Sequence, residues 1–255
     1  MLLAIDIGNT NIVVGLFTKN ELIFNARLST SAQKTIDEYK ILLKYLFIEA
    51  KIQTENIHHT VISSVVPELN YKFTKLIKNY LNITPFFINN KIKLNIKLNY
   101  DNPEEIGADR IVNAASAFDI HKKALIVLDF GTATTIEYIT EKGEYTGGLI
   151  MPGLNLMKDA LHLKTAKLPE VNIQEAQSVL GFNTINSIQN GLYYLTAGGI
   201  RYIIEKIKKE KQTNPLVLTT GGLANLLNSE IGLFDVIDQT LTLKGLNFLY
   251  WLNHD

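Results

Sequence analysis

Two short segments place a carboxylate, a glycine and small polar residues directly after an apolar run. They are Asp6-Ile7-Gly8-Asn9-Thr10-Asn11 and Asp129-Phe130-Gly131-Thr132-Ala133-Thr134. A strand that ends in Asp brings a carboxylate to the edge of a sheet, and the glycine allows a tight turn. The backbone N–H groups and polar side chains of such a turn can face a phosphate, although each segment alone is also typical of an ordinary hairpin turn.

The aspartate of the first segment is also a candidate magnesium ligand. Mg²⁺ keeps most of its waters and binds few protein carboxylates, so Asp6 could orient it through water. Because the two segments are similar, they would lie at equivalent ends of two sheets and face each other across a cleft. A triphosphate fits between two such turns, and the sequence contains no Gly-x-x-x-x-Gly-Lys-Ser/Thr loop that would bind it in another way.

A third glycine turn occurs late in the sequence. The segment Thr219-Thr220-Gly221-Gly222 runs from a predicted strand, Leu216–Leu218, into a predicted short helix. A turn without side chains allows a flat ring or a phosphate to approach the backbone closely. A plain connection between a strand and a helix is the alternative.

One further aspartate begins a predicted helix. Gly107-Ala108-Asp109-Arg110 precedes an alanine-rich run, and Asp109 could cap that helix or act as a general base toward a hydroxyl group. Both roles are compatible, because a helix N-terminus favours an ionised carboxylate. Arg110 could bind a carboxylate or a phosphate with two hydrogen bonds, and a surface ion pair with Glu104 or Glu105 is its alternative.

The elements that must hold these residues occur in the same order twice, with three strands followed by alternating helices and strands. The three strands are Leu2–Ile7, Ile12–Phe17 and Glu21–Leu28 in the first half, and Leu125–Leu128, Thr134–Thr140 and Glu144–Ile150 in the second. The repetition predicts an α/β protein of two lobes, residues 1–108 and 109–255, each with a mixed sheet and flanking helices. The strict alternation of Lys91–Leu98 predicts an edge strand protected by lysines, with a phosphate-attracting strip as the alternative.

The composition excludes several functional classes. The chain has 255 residues, with 25 Lys and Arg against 25 Asp and Glu, so no surplus of charge favours nucleic acid or an anionic membrane. It contains no cysteine, which excludes disulfides and thiolate chemistry. Residues 178–200 carry no charge but include four amide side chains, which are too polar for a membrane span. The first residues lack a basic leader, so we expect a cytoplasmic protein that binds neither nucleic acid nor membrane.

Taken together, the order and spacing of these segments resemble the type III pantothenate kinase family, within the superfamily of acetate and sugar kinases, heat-shock proteins and actin. The resemblance spans essentially the whole chain and includes two further segments, Gly147-Gly148-Leu149-Ile150-Met151-Pro152-Gly153 and Gly181-Phe182-Asn183-Thr184. It implies two RNase H-like (actin-like) lobes with a nucleotide cleft between them. It also implies a kinase that transfers the γ-phosphate of ATP to the primary hydroxyl of pantothenate, giving 4′-phosphopantothenate, in the first step towards coenzyme A.

The resemblance also implies roles for individual residues. Asp109 is implied as the catalytic base, and Asp129 as the ligand of a monovalent cation, K⁺ or NH₄⁺; from the residues alone, Asp129 could instead cap the N–H groups of its turn. ATP is implied to bind with Mg²⁺. The implied nucleotide contacts are Asp6, Ile7, Gly8, Asn9, Thr10, Asn11, Ile12, Val13, Thr132, Gly221 and Gly222. The implied pantothenate contacts are Tyr100, Gly107, Ala108, Asp109, Arg110 and Thr184.

Two other functions and one question of assembly stay open from the sequence. The same fold could serve a non-enzymatic ATP-binding regulator, which the presence of Asp109 and Asp129 disfavours, or a polyphosphate phosphohydrolase, which the neutral charge disfavours. The resemblance implies a homodimer. In addition, Ile185–Ile200 predicts a helix too apolar around its circumference for a solvated surface, and burial within one lobe is the alternative to a dimer interface.

Overall fold

The computed structural model of the protein describes residues 1–254. The strands and helices of these residues, in chain order, are β1 (Leu2–Ile7), β2 (Asn11–Thr18), β3 (Glu21–Ser29), α1 (Ile36–Glu49), β4 (His59–Ser64), α2 (Pro67–Leu81), β5 (Phe86–Phe87), β6 (Lys97–Leu98), α3 (Ala108–His121), β7 (Leu125–Phe130), β8 (Ala133–Ile139), β9 (Glu144–Pro152), α4 (Leu154–Lys164), α5 (Thr184–Lys211), β10 (Leu216–Gly221), α6 (Ala224–Ile231), β11 (Val236–Ile237) and α7 (Leu241–Leu252). Two 3₁₀ turns add Thr54–Asn56 and Pro103–Glu105.

These elements form two compact units. The first combines residues 1–120 with the segment that begins at Thr240, and the second comprises His121–Gln239. The predicted boundary between residues 108 and 109 differs from this division, because it would assign α3 and α7 to the second lobe. Contacts between these helices explain the difference: Ser116 Oγ on α3 donates to Leu241 O on α7 at 3.0 Å, and α7 also packs against β1.

The first unit is built on a mixed sheet with the strand order β3-β2-β1-β4-β5. The central strand β1 pairs antiparallel with β2 and parallel with β4. Its apolar residues are fully buried, as expected of a strand that is covered on both faces. Helices α1 and α2 contribute Leu43, Phe47 and Phe73 to the same core. Asp6 is the polar residue of β1 and is half-buried near its end.

The second unit repeats this topology. Its strands follow the order β9-β8-β7-β10-β11, in which β7 pairs antiparallel with β8 and parallel with β10. β7 therefore takes the place that β1 has in the first unit, and Asp129 takes the place of Asp6 as the last residue but one of its strand. The core lies between this sheet and helices α5 and α6, with Leu128, Tyr193 and Leu227 fully buried. The predicted two-lobed α/β fold is confirmed.

The long helix α5 has one buried face and one exposed face. Tyr193, Ile200 and Ile204 are buried in the second unit, whereas Leu195 is 64% exposed and Tyr202 59% exposed. Burial within one lobe thus accounts for the first face but not for the second. Among residues 1–254, no helix combines the length and the apolar composition that a bilayer crossing requires.

Candidate active site

The first Asp-x-Gly turn, residues 6–11, connects β1 to β2 and is held by hydrogen bonds from the strand-end residue Thr30. Within the turn, Gly8 N donates to Asn11 O at 3.0 Å. Thr30, directly after β3, donates its N–H to Thr10 O at 2.9 Å and its hydroxyl to Gly8 O at 2.6 Å. The three polar residues that follow Gly8 are exposed. The turn therefore presents a fixed backbone and exposed polar side chains at the edge of the sheet.

Two of the predicted nucleotide contacts do not lie on this surface. Ile7 and Ile12 are fully buried in the core of the first unit, because they pair with each other at the base of the turn. They position the turn, and their burial does not support a direct contact with a nucleotide. Asp6 and Val13 form the next pair and are half-buried.

The second Asp-x-Gly turn, residues 129–133, connects β7 to β8 and is held by a close backbone approach. Gly131 N donates to Ala133 O at 3.2 Å, and Gly153, directly after β9, donates its N–H to Thr132 O at 3.0 Å. A Cβ atom on Gly153 would collide with the carbonyl oxygens of Gly131 and Thr132. This collision explains why a glycine follows Pro152. Asp129 is half-buried in this turn and Thr132 is exposed.

The glycine turn after β10 lies beside the second Asp-x-Gly turn. In the parallel ladder Thr220 pairs with Asp129 and Gly221 with Phe130. Gly221 has a φ of +90°, and a Cβ atom there would come within 2.6 Å of the Phe130 backbone, so the position requires glycine. Gly222 is exposed, with open space around its Cα. The second unit thus brings together the predicted cation ligand and the predicted adenosine turn.

Asp109 is the second residue of α3, so it lies in the first helical turn and the interpretation as the N-cap is wrong. Its Oδ1 accepts a hydrogen bond from Arg110 N at 2.8 Å. The carboxylate bends back over Gly107, where a Cβ atom would lie 2.5 Å from that oxygen. Burial raises the pKa of Asp109 above its ordinary value, and the N–H and guanidinium of Arg110 oppose this rise. The site therefore holds a half-buried carboxylate at a helix N-terminus.

Asp109 and the first Asp-x-Gly turn lie at the same edge of the sheet. Val65, which follows β4, donates its N–H to Ile7 O at 3.0 Å. A Cβ atom on Gly107 would lie 3.6 Å from Val65 Cγ1. Val65 thus lies between the end of β1 and the segment that leads into α3. Sequence reasoning missed Val65, because a valine after a strand carries no signal of its own.

Four further predicted pantothenate contacts precede or begin α3. Arg110 is only 6% exposed, so it does not lie on the surface as the alternative of a surface ion pair assumed. Glu104 instead forms an exposed ion pair with Lys91 at 3.2 Å. Tyr100 is half-buried in the irregular segment before α3, as are Gly107 and Ala108 at its start.

Thr184 belongs to the second unit and is the exposed first residue of α5. Asn183 caps this helix, because its Oδ1 accepts a hydrogen bond from Asn186 N at 2.9 Å. A Cβ atom on Gly181 would collide with the backbone of Ser187. The glycine and asparagine of the Gly181–Thr184 segment therefore form the start of the helix and leave the Thr184 side chain accessible.

The described residues offer no dedicated metal cage. Among residues 1–254, no three His, Asp or Glu side chains lie close enough together to hold a metal ion. A divalent cation held by one carboxylate, waters and phosphate oxygens is compatible with such a site, since Mg²⁺ is commonly bound in this way.

The fold places the chain in a class of two-lobed proteins that includes sugar kinases. It is similar to a solved structure of a candidate 2-dehydro-3-deoxygalactonokinase from Sinorhizobium meliloti, with a TM-score of 0.63 and 10% identity over 99% of this chain and 96% of the other. It is also similar to a candidate Baf family transcriptional activator from Campylobacter jejuni, with a TM-score of 0.62 and 21% identity over 99% and 98% of the two chains. These likenesses show the actin-like fold alone.

The sequence comparisons define the family within that class. A family model described as type III pantothenate kinase matches residues 2–206. A protein from Citrifermentans bemidjiense named type III pantothenate kinase is 45% identical over 253 residues, which are 99% of this chain and 100% of the relative. The chain belongs to the type III pantothenate kinase family, and the resemblance drawn from its motifs is confirmed.

Proposed function

We propose that Asp109 is the base and orienting group in the reaction of this chain. As a member of its family, the chain is an ATP-dependent kinase that phosphorylates pantothenate in coenzyme A biosynthesis. The observation that carries the assignment is the half-buried carboxylate of Asp109 in the first turn of α3, at the sheet edge that also holds Asp6. Gly107 supports it by leaving room for this carboxylate.

In the proposed step, the primary hydroxyl oxygen of pantothenate forms a bond to the γ-phosphorus of ATP. The bond from that phosphorus to the β,γ-bridging oxygen breaks, ADP leaves, and the hydroxyl proton passes to Asp109. Because the transition state of phosphoryl transfer is loose, a carboxylate that orients the hydroxyl is sufficient. Burial raises the pKa of Asp109 towards the operating pH, which makes it a better proton acceptor.

We assign the phosphates of ATP to the two Asp-x-Gly turns. The exposed side chains of Asn9, Thr10 and Asn11 on the first turn and of Thr132 on the second support this assignment, as do the N–H groups of their backbones. We assign the adenosine to Gly221 and Gly222. Gly221 forms the tight turn against Phe130, and the backbone at Gly222 is open to a flat ring.

Two cations belong to the proposal. A kinase of this type uses ATP with a divalent metal, and we assign Mg²⁺ to Asp6 through water. We assign K⁺ or NH₄⁺ to Asp129, which lies half-buried between the turns that contain Gly131 and Gly221. When bound, the cations supply positive charge near the transferred phosphate, which a P-loop lysine supplies in other kinases.

We also propose a homodimer that forms through the exposed face of α5. Leu195 is 64% exposed, and the neighbouring Gly198 and Gly199 are exposed and have no side chain to prevent the approach of another helix. A cavity of about 210 Å³ next to Leu195 is lined mainly by apolar residues, including Met151. This helix begins at Thr184, which the dimer would bring to the pantothenate site of the partner subunit. The cytoplasmic location stays a prediction.

A coupled assay of ADP release tests the function directly. With ATP, Mg²⁺ and K⁺ present, we expect ADP release to depend on pantothenate and to be slower when Na⁺ replaces K⁺. Release of ADP without pantothenate would indicate a phosphohydrolase. No release under any of these conditions would favour the non-enzymatic regulator and contradict the proposal.

The substitution Asp109→Asn tests the assigned base. Because the proton acceptor is lost, we expect kcat to fall by about 10³-fold, with little change in thermal stability. The matched control is Asp37→Asn, since Asp37 is likewise the second residue of its helix, α1, and is exposed. We also expect kcat/KM of the wild type to decrease as the pH falls through the raised pKa of Asp109, which lies above the ordinary aspartate value of about 3.9. Near-normal turnover of the Asp109→Asn variant would contradict the assignment of Asp109 as the base.

A further inference from the structure

We infer that the first unit contains a second small-molecule site, for an organic anion that carries a flat ring. The site is a cavity of about 760 Å³, which we call the α3–α7 cavity. Ser116 and Asp119 line it from α3, Lys244 and Trp251 line it from α7, and Lys19 lines it from the β2–β3 turn. Its volume lies in the range of about 300–1,000 Å³ that is usual for ligand pockets.

The α3–α7 cavity is separate from the proposed active site. Asp109 lies at the start of α3, and Asp119 follows ten residues later, which corresponds to about 15 Å along the helix. The strand β2 gives the same result: it starts at Asn11 in the first Asp-x-Gly turn and ends beside Lys19. The cavity therefore lies at the opposite edge of the sheet from the proposed phosphate contacts.

The charged residues of the cavity favour an anion. Lys19, Lys93 and Lys244 contribute three ammonium groups to its lining, whereas Asp119 contributes the single carboxylate. All three lysines are exposed, and Lys19 and Lys93 can reach a ligand from the rim. Because the whole chain has a net charge of zero, this local surplus of positive charge is a property of the cavity and not of the surface in general.

The apolar part of the lining favours a flat ring. Phe248 and Trp251 are half-buried and contribute aromatic side chains, whereas Phe17 is buried beneath the lining at 1% exposed. The Trp251 ring is held by edge contacts with His59 and Tyr250, each with a centroid distance of 5.1 Å. Aromatic rings that are fixed in this way offer stacked or edge-to-face contacts to a ring of the ligand.

A buried amide adds a requirement for a hydrogen-bond donor. Asn247 lines the cavity and is 4% exposed. Its Nδ2 donates to Asn20 Oδ1 at 3.4 Å, but its Oδ1 has no hydrogen-bond partner among the described residues. An unpaired buried acceptor is unfavourable. This oxygen is enclosed by protein, so a hydroxyl or N–H group on the ring of a ligand would stabilise it once the Asn247 amide rotates towards the cavity.

The fluorescence of Trp251 provides a specific measurement, because it is the one tryptophan of the chain. The probe is 4-hydroxybenzoate, which has an anionic group, a ring and a donor. Benzoate lacks the donor and 4-hydroxybenzyl alcohol lacks the charge. We expect saturable quenching by 4-hydroxybenzoate, with a Kd at least about tenfold lower than that of 4-hydroxybenzyl alcohol. Saturating ATP and pantothenate should not displace the probe.

Variants connect the binding to the cavity. Lys93→Glu should raise the Kd of 4-hydroxybenzoate by about tenfold without a change in kinase activity, and Lys19→Glu provides a second test of the charge. The matched control is Lys44→Glu, because Lys44 is exposed on α1 and does not line the cavity; its Kd should stay within about twofold of the wild-type value. Asn247→Leu should remove the preference for 4-hydroxybenzoate over benzoate.

Three results would overturn the inference. The first is an absence of saturable quenching by 4-hydroxybenzoate in the folded wild type. The second is equal affinity for 4-hydroxybenzyl alcohol, or equal affinity in Lys93→Glu and Lys44→Glu. The third is displacement of the probe by ATP or pantothenate, which would place it in the active site. None of these results depends on the catalytic role of Asp109.

Discussion

The two Asp-x-Gly turns have the same position in their units but are stabilised differently. In both, the residue after the third strand donates its N–H to a carbonyl of the turn: Thr30 to Thr10 O, and Gly153 to Thr132 O. Thr30 adds a hydroxyl hydrogen bond, whereas Gly153 approaches so closely that a Cβ atom would collide. The same backbone arrangement is therefore stabilised by a side-chain hydroxyl in the first turn, and in the second it is possible only because Gly153 has no side chain.

The two turns also differ in length. In the first, four residues separate the paired Ile7 and Ile12. In the second, three residues separate Phe130 and Thr134, and Gly221 packs against the backbone of Phe130. The second turn is thus shorter and more closely surrounded by backbone, so we expect it to tolerate added atoms poorly. We expect the stability of the first turn to depend more on the hydroxyl of Thr30.

Gly153→Ala should have the largest effect, because the new methyl group must displace the backbone of the second turn. We expect the free energy of unfolding to decrease by about 3 kcal/mol, measured by urea denaturation, together with a loss of activity. The control is Gly191→Ala on the exposed side of α5, where a Cβ atom meets nothing within 4 Å; it should raise the free energy of unfolding by about 1 kcal/mol. Equal stability of the two variants would contradict the close approach.

Asp6→Asn and Asp129→Asn compare the proposed ions of the two turns. We expect each to lower kcat/KM by about 50-fold, or about 2.3 kcal/mol. Asp6→Asn should raise the Mg²⁺ concentration that gives half-maximal activity, and Asp129→Asn should weaken the activation by K⁺. Asp101→Asn, at an exposed position, is the control. If both variants changed the response to the same ion, the assignment of different ions to the two turns would be wrong.

Thr30→Val should have the smallest effect, since it removes one hydrogen bond at nearly constant volume. We expect a decrease of about 1 kcal/mol in the free energy of unfolding and a moderate rise in the KM for ATP. The control is Thr18→Val, because Thr18 is exposed at the far end of β2. Identical results for the two threonines would mean that the hydroxyl of Thr30 does not hold the first turn.

The sequence allowed the sheets to be predicted closely where apolar runs lie between turn residues. The predicted strands Ile12–Phe17 and Glu21–Leu28 are each within one residue of β2 and β3 at both ends. Asp109 and the glycine turns were also located from local pattern and family resemblance. By contrast, Ile7 and Ile12 belong to the first motif but are buried, because a motif does not specify which of its residues reach the surface.

The predicted strand over Lys91–Leu98 is largely wrong, since β6 comprises only Lys97–Leu98. Asn253 explains the difference. Lys93 N donates to Asn253 Oδ1 at 2.8 Å, and Asn253 Nδ2 donates to Lys93 O at 3.0 Å. The side chain of Asn253, 160 positions away, thus forms the hydrogen bonds that a neighbouring strand would otherwise form with Lys93. No local pattern in the sequence indicates such a partner.

The boundary between the lobes could not be predicted for a similar reason. Ser116 on α3 bonds to Leu241, which is 125 positions further along the chain. Each helix has an ordinary apolar face, so the sequence indicates that each must be buried but not against which element. The close packing of α7 against α3 depends on Gly245 of α7, because a Cβ atom there would lie 2.7 Å from Val112 O of α3.

The position of α7 has a consequence for the order in which the protein can fold during synthesis. The second unit is made of contiguous residues, 121–239, and is complete as soon as these have left the ribosome. The first unit is begun earlier but lacks α7, whose Leu243 packs against Gly15 of its sheet, until after the second unit has been made. Domains generally fold in order from the N-terminus; here the unit that starts first is the one that must be completed last.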